Sequence, residues 1–102
     1  MERHQALLQI LQDRAARSDE RDDAAIDLGQ FDHIDVETVL IAVAGDENKS
    51  GLVASSAGES LGEIWARRRR IPVDVLAKLR PDARREAINT LTAIAPVLLQ
   101  TT

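Results

Sequence analysis

Cysteine and tyrosine are absent from this chain of 102 residues, and phenylalanine and tryptophan occur once each. Without cysteine the chain can form neither disulfide bonds nor thiolate metal sites, and it has no thiol nucleophile. This composition suits a reducing compartment, so we expect a cytoplasmic protein. A core with so few aromatic residues must be built from alanine, leucine, isoleucine and valine, of which alanine and leucine favour helices.

The chain also lacks a long apolar run. The run that starts at Ala6 is interrupted by Gln9 and is too short for a signal peptide or a membrane span. The formal net charge is −4, which disfavours nucleic acid and anionic membranes, because phosphate binding draws on a cationic surface. We therefore expect another protein as partner, with a basic or mixed surface, and neither a membrane nor nucleic acid. Self-association stays open.

Apolar residues recur with the helical period in six segments of the chain. The predicted helices, in chain order, are 3–16, about 18–30, a third that ends near 44, 53–67, 73–79 and 83–95. Gly45 is expected to cap the third helix, and Pro96 to bend or break the sixth. No strand and no linker is predicted, so the fold class is all-α.

One pattern of residues occurs twice. Residues 23–31 and 56–64 both contain small residues, a Leu-Gly pair and a large apolar residue at the end. The offset between the two leucines, 61 − 28, is 33 residues. Because a turn and a second amphipathic helix follow each copy, the repeating unit is a helical hairpin, which cannot bury its apolar side alone.

These copies resemble the HEAT-repeat proteins, particularly short bacterial HEAT-like units in which an Ala-rich helix ending in Leu-Gly precedes an Asp-containing turn. The resemblance covers 21–44 and 53–79, with a weaker third copy from Arg85. The chain departs from the family pattern at Ile34, where a proline often stands, and in its longer turn at 67–70. The resemblance implies a single-domain α-solenoid of about three stacked hairpins. Its units are about 18–45, 50–80 and 82–100, preceded by a capping helix at 1–17.

The resemblance indicates fold more firmly than function. It implies a non-catalytic module that binds another protein, with an inhibitor or immunity-type role as one form. One alternative is an enzyme-associated HEAT-like protein of the lyase or nucleic-acid repair type. Another is a structural subunit of a larger assembly. We predict no catalytic residue and no cofactor.

Partner-binding residues are predicted on two surfaces. The acidic start of the second helix could face a basic partner, although acidic residues also stabilise a helix N-terminus. The second helix of each hairpin is expected to line the concave side of the array. The predicted residues are Asp19, Glu20, Asp22, Asp23, Glu37, Ile41, Asp74 and Lys78.

Several other side chains could bind a ligand or a metal ion, but a structural role is the expected explanation for each of them. The arginines at 67–70 are expected to form a solvated turn, and Trp65 to pack in the core. His4 and His33 are too isolated in sequence to indicate a zinc or di-metal centre, so no metal site is predicted. Glu63 is expected to pair with Arg67 four residues later.

Overall fold

The computed structural model describes residues 1–100, in which every regular element is helical. The predicted all-α class is therefore confirmed. The seven helices are α1 (Arg3–Gln12), α2 (Ser18–Leu28), α3 (Ile34–Gly45), α4 (Gly51–Arg68), α5 (Val73–Lys78), α6 (Pro81–Ile94) and α7 (Pro96–Gln100). The molecule measures 41 × 28 × 20 Å, and its smallest dimension matches two layers of helices, each about 10 Å in diameter.

One layer consists of α2, α4 and α6, which run side by side in the same direction. Helix α4 lies in the middle and packs on both neighbours. Towards α2, the Ser60 hydroxyl donates a 2.6 Å hydrogen bond to the carbonyl oxygen of Ala25. The second layer contains α1, which packs on α2, and α3, which packs on α4. The short α5 completes this layer beside α3.

Two glycines of α4 allow the close contact with α6. A Cβ atom added at Gly58 would lie 2.7 Å from the carbonyl carbon of Ala83, and one at Gly62 would lie 2.9 Å from the carbonyl oxygen of Ala87. Both distances are too short for a side chain. Glycine inside a helix costs about 1 kcal/mol relative to alanine, and here the backbone-to-backbone approach of the two helices offsets that cost.

The core lies between the two layers and is aliphatic, as the composition predicts. Helix α4 contributes Leu61 and Ile64, both fully buried, and Trp65, which is 1% exposed. The prediction that Trp65 packs in the core is confirmed. From the other side, α3 contributes the fully buried Val36 and Leu40.

Arg80 connects the end of α3 to the start of α6. Its backbone N–H donates to the carbonyl oxygen of Ala44 at 3.0 Å. Its guanidinium donates to the carbonyl oxygens of Asp46 (3.0 Å) and Lys49 (2.8 Å), and to the carboxylate of Asp82. This side chain therefore holds the loop between α3 and α4 in place.

The observed helix ends differ from the predicted ones where side chains bind the backbone. Helix α1 ends at Gln12 rather than at 16, because the Asp13 carboxylate accepts the N–H of Ala15 at 2.9 Å and forms a turn. Gly45 is the last residue of α3 and has no positive φ angle, so the predicted glycine cap is wrong and Asp46 follows in an extended conformation.

Two further helix boundaries are set by capping and by proline. Helix α4 begins at Gly51, earlier than predicted, because the Ser50 hydroxyl accepts the N–H of Leu52 at 3.2 Å. The predicted break at Pro96 is confirmed, and the chain continues as the separate helix α7. No helix within residues 1–100 combines the length and apolar character needed to cross a membrane.

Replacing Gly58 with alanine is expected to lower the free energy of unfolding by about 2 kcal/mol or more, because the added methyl group forces α4 and α6 apart. The matched control is Gly45→Ala, since open space surrounds that position. There, alanine should raise the free energy of unfolding by about 0.5 kcal/mol. Urea denaturation followed by far-UV circular dichroism measures both changes. Equal effects at the two positions would contradict the close α4–α6 contact.

Candidate functional site

The first acidic residues of α2 are engaged by an arginine of the same chain. Arg17 Nε lies 3.2 Å from Asp19 Oδ1 and 3.5 Å from Glu20 Oε1. The Glu20 carboxylate also accepts the backbone N–H of Arg17, which caps the helix. All three side chains are largely exposed, so these pairs add little stability. They do reduce the net negative charge at the start of α2.

Asp22 and Asp23 differ in their surroundings. The carboxylate of Asp22 accepts a hydrogen bond from the Ser56 hydroxyl and thereby joins α2 to α4. Asp23 is exposed, and within residues 1–100 it has no hydrogen bond or ion pair through its side chain. Of the four predicted acidic residues, Asp23 is therefore the one whose carboxylate remains available, while Asp22 contributes to packing.

Glu37 joins α3 to the end of α4. Its Oε2 accepts the indole N–H of Trp65 at 2.8 Å, and its Oε1 accepts from Arg68 Nη1 at 2.9 Å. The Glu37 side chain is only 15% exposed. Buried indole N–H groups need an acceptor, so the structure explains this glutamate without a partner.

The arginines at 67–70 are all exposed, but the predicted turn holds only for Arg69 and Arg70, because Arg67 and Arg68 belong to the last turn of α4. Arg67 Nη2 lies 2.8 Å from Asp32 Oδ1, so its ion pair is with Asp32 and not with Glu63 as predicted. Arg69 adopts a left-handed conformation with φ 56°, and the N–H of Arg70 donates to the carbonyl oxygen of Trp65. This run ends α4 by a common helix-terminating motif.

An open groove lies between α1 and α3, and we call it the α1–α3 groove. Its volume is about 420 Å³. Apolar side chains of both helices line it, and charged residues stand at one end. The lining residues used below are Leu11, Val39, Ala42, Val43, Arg14 and Lys49.

A second groove, the α3–α5 groove, lies on the other side of α3 and has a volume of about 330 Å³. Its lining is mostly apolar: Ile41, Ala42 and Gly45 from α3 face Val75, Lys78 and Leu79. Of the predicted residues on the second helices, the structure brings Ile41 and Lys78 together in this groove. Asp74 is exposed at the start of α5, outside it.

Three cations that the sequence did not single out meet near the end of the α1–α3 groove. Arg14, Arg21 and Lys49 line a polar recess of about 410 Å³, together with the acidic Asp46. None of them has an ion pair within residues 1–100, and Arg21 Nε is buried without a hydrogen-bond partner there. Arg14 and Lys49 lie in two different turns, so no periodic pattern could have related them.

The two histidines, far apart in sequence, are in contact. The rings of His4 and His33 are stacked, with centroids 3.8 Å apart and an interplanar angle of 10°. His4 is buried, and its Nε2 lies 3.9 Å from Asp35 Oδ2. The two histidines are isolated in the sequence, and the fold brings them together because the first turn of α1 lies beside the start of α3.

Glu63 is half-buried on α4 beside Gly29. Burial raises the pKa of its carboxyl above 4.5, and the nearby Glu59 carboxylate raises it further, while the Arg67 guanidinium opposes the shift. The carboxyl therefore binds a proton more readily in the folded state than in the unfolded chain. Its ionisation works against folding.

Glu37→Ala is expected to lower the free energy of unfolding by about 1–3 kcal/mol, because it leaves the buried indole N–H of Trp65 without an acceptor. Glu37→Gln keeps an acceptor oxygen and should cost less. Urea denaturation followed by the fluorescence of the single tryptophan measures both losses. If glutamine costs as much as alanine, the ion pair with Arg68 is the stabilising interaction instead.

The raised pKa of Glu63 predicts a pH-dependent stability. Because the folded state holds this proton more tightly, the free energy of unfolding should fall as the pH rises from about 4.5 through the folded-state pKa. Glu63→Gln removes that fall, so its stability advantage over the natural chain should be larger at neutral pH than in acid. Urea denaturation at several pH values tests this, with the exposed Glu47→Gln as control. Parallel curves for Glu63→Gln and the natural chain would contradict it.

Comparison with known proteins finds no family model, no curated protein and no solved structure that matches this chain. The HEAT-like resemblance therefore depends on the residues of the internal repeat and remains a prediction.

Proposed function

We propose that this protein is a non-catalytic interaction module that binds a segment of another protein in the two grooves beside α3. The supporting observation is that the exposed Ala42 lines both grooves, so that one surface runs from α1 across α3 to α5. Its half-buried apolar side chains are Val39 on one side and Ile41 and Val75 on the other. Covering this apolar surface with a partner removes it from water, which favours binding.

The charges beside the grooves favour a partner segment of mixed character. Arg14, Lys49 and one carboxylate, Asp46, line the α1–α3 groove, so its charged groups are positive in sum, and Lys78 lines the α3–α5 groove. Apolar side chains flanked by carboxylates would fill the grooves and complement these cations. A segment with both apolar and charged side chains has a mixed surface, which is one of the two kinds of partner surface expected from the net charge of −4.

A HEAT-like stack is part of this proposal, and the packing of the repeat supports it. Leu28 and Leu61 are equivalent in the repeat, and both are fully buried. Each following glycine faces the next helix of the layer: a Cβ at Gly29 would lie 2.9 Å from Ser60 Oγ, and one at Gly62 would lie 2.8 Å from Thr90 Cβ. Equivalent contacts between successive repeats are what a solenoid requires. Inhibition of the bound protein, as by an immunity protein, is one form of this function.

The structural-subunit alternative also has an observation in its favour. Large apolar residues are exposed at the C-terminal end of the described chain: Ile94 is 60% exposed, Val97 49% and Ile88 37%. A second copy or a further repeat could cover them. This alternative predicts self-association in place of binding in the grooves.

Ala42→Arg tests the proposed surface. A large charged side chain there would block both grooves, whereas the core should stay intact because Ala42 is exposed on a helix. We expect the affinity for the partner to fall by about tenfold or more. The matched control is Ala93→Arg, the same change at an exposed position of α6, which should bind as the natural chain does.

The natural chain, these two variants and a third variant, Asp23→Lys, would be immobilised and used to capture proteins from a lysate of the source cells. The captured proteins would be quantified by mass spectrometry, and the affinity of the selected partner then measured by calorimetry. A partner held equally by the natural chain and Ala42→Arg would overturn the proposed surface. Loss on Asp23→Lys alone would assign binding to α2. Sedimentation equilibrium that shows self-association, without a captured partner, would favour the structural subunit.

A further inference from the structure

Both histidines of the chain meet one carboxylate at the start of α3. His4 belongs to the first turn of α1, His33 immediately precedes α3, and Asp35 lies in the first turn of α3. One potential ligand atom from each of the three lies within 4.8 Å of the other two. We propose that these three side chains form a binding site for a divalent transition-metal ion, with Zn²⁺ as the ion that suits the donor set.

The donor set consists of two imidazole nitrogens and a carboxylate oxygen. Zinc binds both types at about 2.0–2.2 Å, and sites with three protein ligands leave the remaining position to water. Calcium and magnesium prefer oxygen ligands, so two imidazoles favour a transition metal over these ions. The composition supports the assignment, because the chain contains two histidines and no cysteine, and both imidazoles belong to this cluster.

The burial of the three side chains differs: buried His4 would be a fixed ligand, whereas exposed His33 and Asp35 can adjust their positions. His4 is 6% exposed, and within residues 1–100 its ring makes no hydrogen bond; the ion-pair partner of its Nε2 is Asp35, itself one of the proposed ligands. His33 and Asp35 are exposed and can change rotamer. Ligand atoms around a tetrahedral zinc ion are about 3.3 Å apart, whereas His4 Nε2 and Asp35 Oδ2 are 3.9 Å apart. Binding therefore requires the two exposed side chains to turn towards His4 and the histidine rings to leave their parallel stack.

Metal binding would connect two elements that otherwise touch only in part. Helix α1 packs mainly on α2 and makes few contacts with α3. An ion held by His4 on one side and by His33 and Asp35 on the other would fasten the start of α1 to the start of α3. The site is separate from the residues proposed to bind a partner, so it can exist whether or not that proposal holds.

The test uses the full chain without a polyhistidine tag, and Zn²⁺ in a buffer that does not chelate metals. At a concentration about one hundred times the dissociation constant, Zn²⁺ should raise the melting temperature by roughly 10 °C. Isothermal titration should show one Zn²⁺ per chain, and Co²⁺ in its place should produce the visible absorption of a bound ion.

His33→Gln and Asp35→Asn should each weaken Zn²⁺ binding by about tenfold or more, because each removes one ligand. Both residues are exposed, so the variants should fold. The control is Asp74→Asn, since Asp74 and Asp35 both occupy the second position of a helix and are both exposed. This control should bind Zn²⁺ like the natural chain. The proposal is overturned if Zn²⁺ leaves the melting temperature unchanged, or if His33→Gln binds Zn²⁺ as tightly as the natural chain.

Discussion

The close approach of α4 to α6 is the contact on which the arrangement of the other helices depends. Gly58 and Gly62 provide no side chain where the backbone of α6 passes. On its opposite side α4 presents the hydroxyls of Ser56 and Ser60 to α2. Because small residues occupy both sides, α4 can lie between two parallel neighbours and still direct Leu61 into the core. A larger residue on either side would separate the layer.

The helices of the second layer pack on the first layer and make few contacts with one another, and this difference creates the grooves. Helix α3 is tied to α4 by the contact of Glu37 with Trp65 and, through its last turn, to Arg80. Helix α5 has six residues, none of them buried. The two neighbours of α3 in this layer, α1 and α5, therefore leave space on either side of it. Dense packing in one layer and open packing in the other give this small protein both a stable core and an accessible apolar surface.

Charge is distributed in a way that the net value of −4 conceals. The acidic start of α2 is partly neutralised by Arg17, while Arg14 and Lys49 remain unpaired within residues 1–100 beside an apolar groove. Net charge governs long-range attraction, but a bound segment experiences the charges within a few ångströms of it. The charged groups that line the grooves are thus positive in sum although the whole chain is acidic.

The sequence by itself determined the helical class, most helix positions, the aliphatic core and the burial of Trp65. Periodic apolar residues report which side of a helix avoids water, and that preference is local. Helix ends were less predictable where a side chain binds the backbone, as Asp13 does. The repeat of Leu28-Gly29 at Leu61-Gly62 also indicated that two helices would make similar contacts.

The tertiary structure alone decided which distant residues became neighbours. In the folded chain the ring of His4 stacks on that of His33, and Arg14 and Lys49 line the same recess. Glu37 accepts a hydrogen bond from the indole N–H of Trp65. None of these pairs shares a helical period or a short spacing, because each links different elements or turns. Their distances follow from how closely whole helices pack, which is set at backbone contacts such as Gly58 against Ala83.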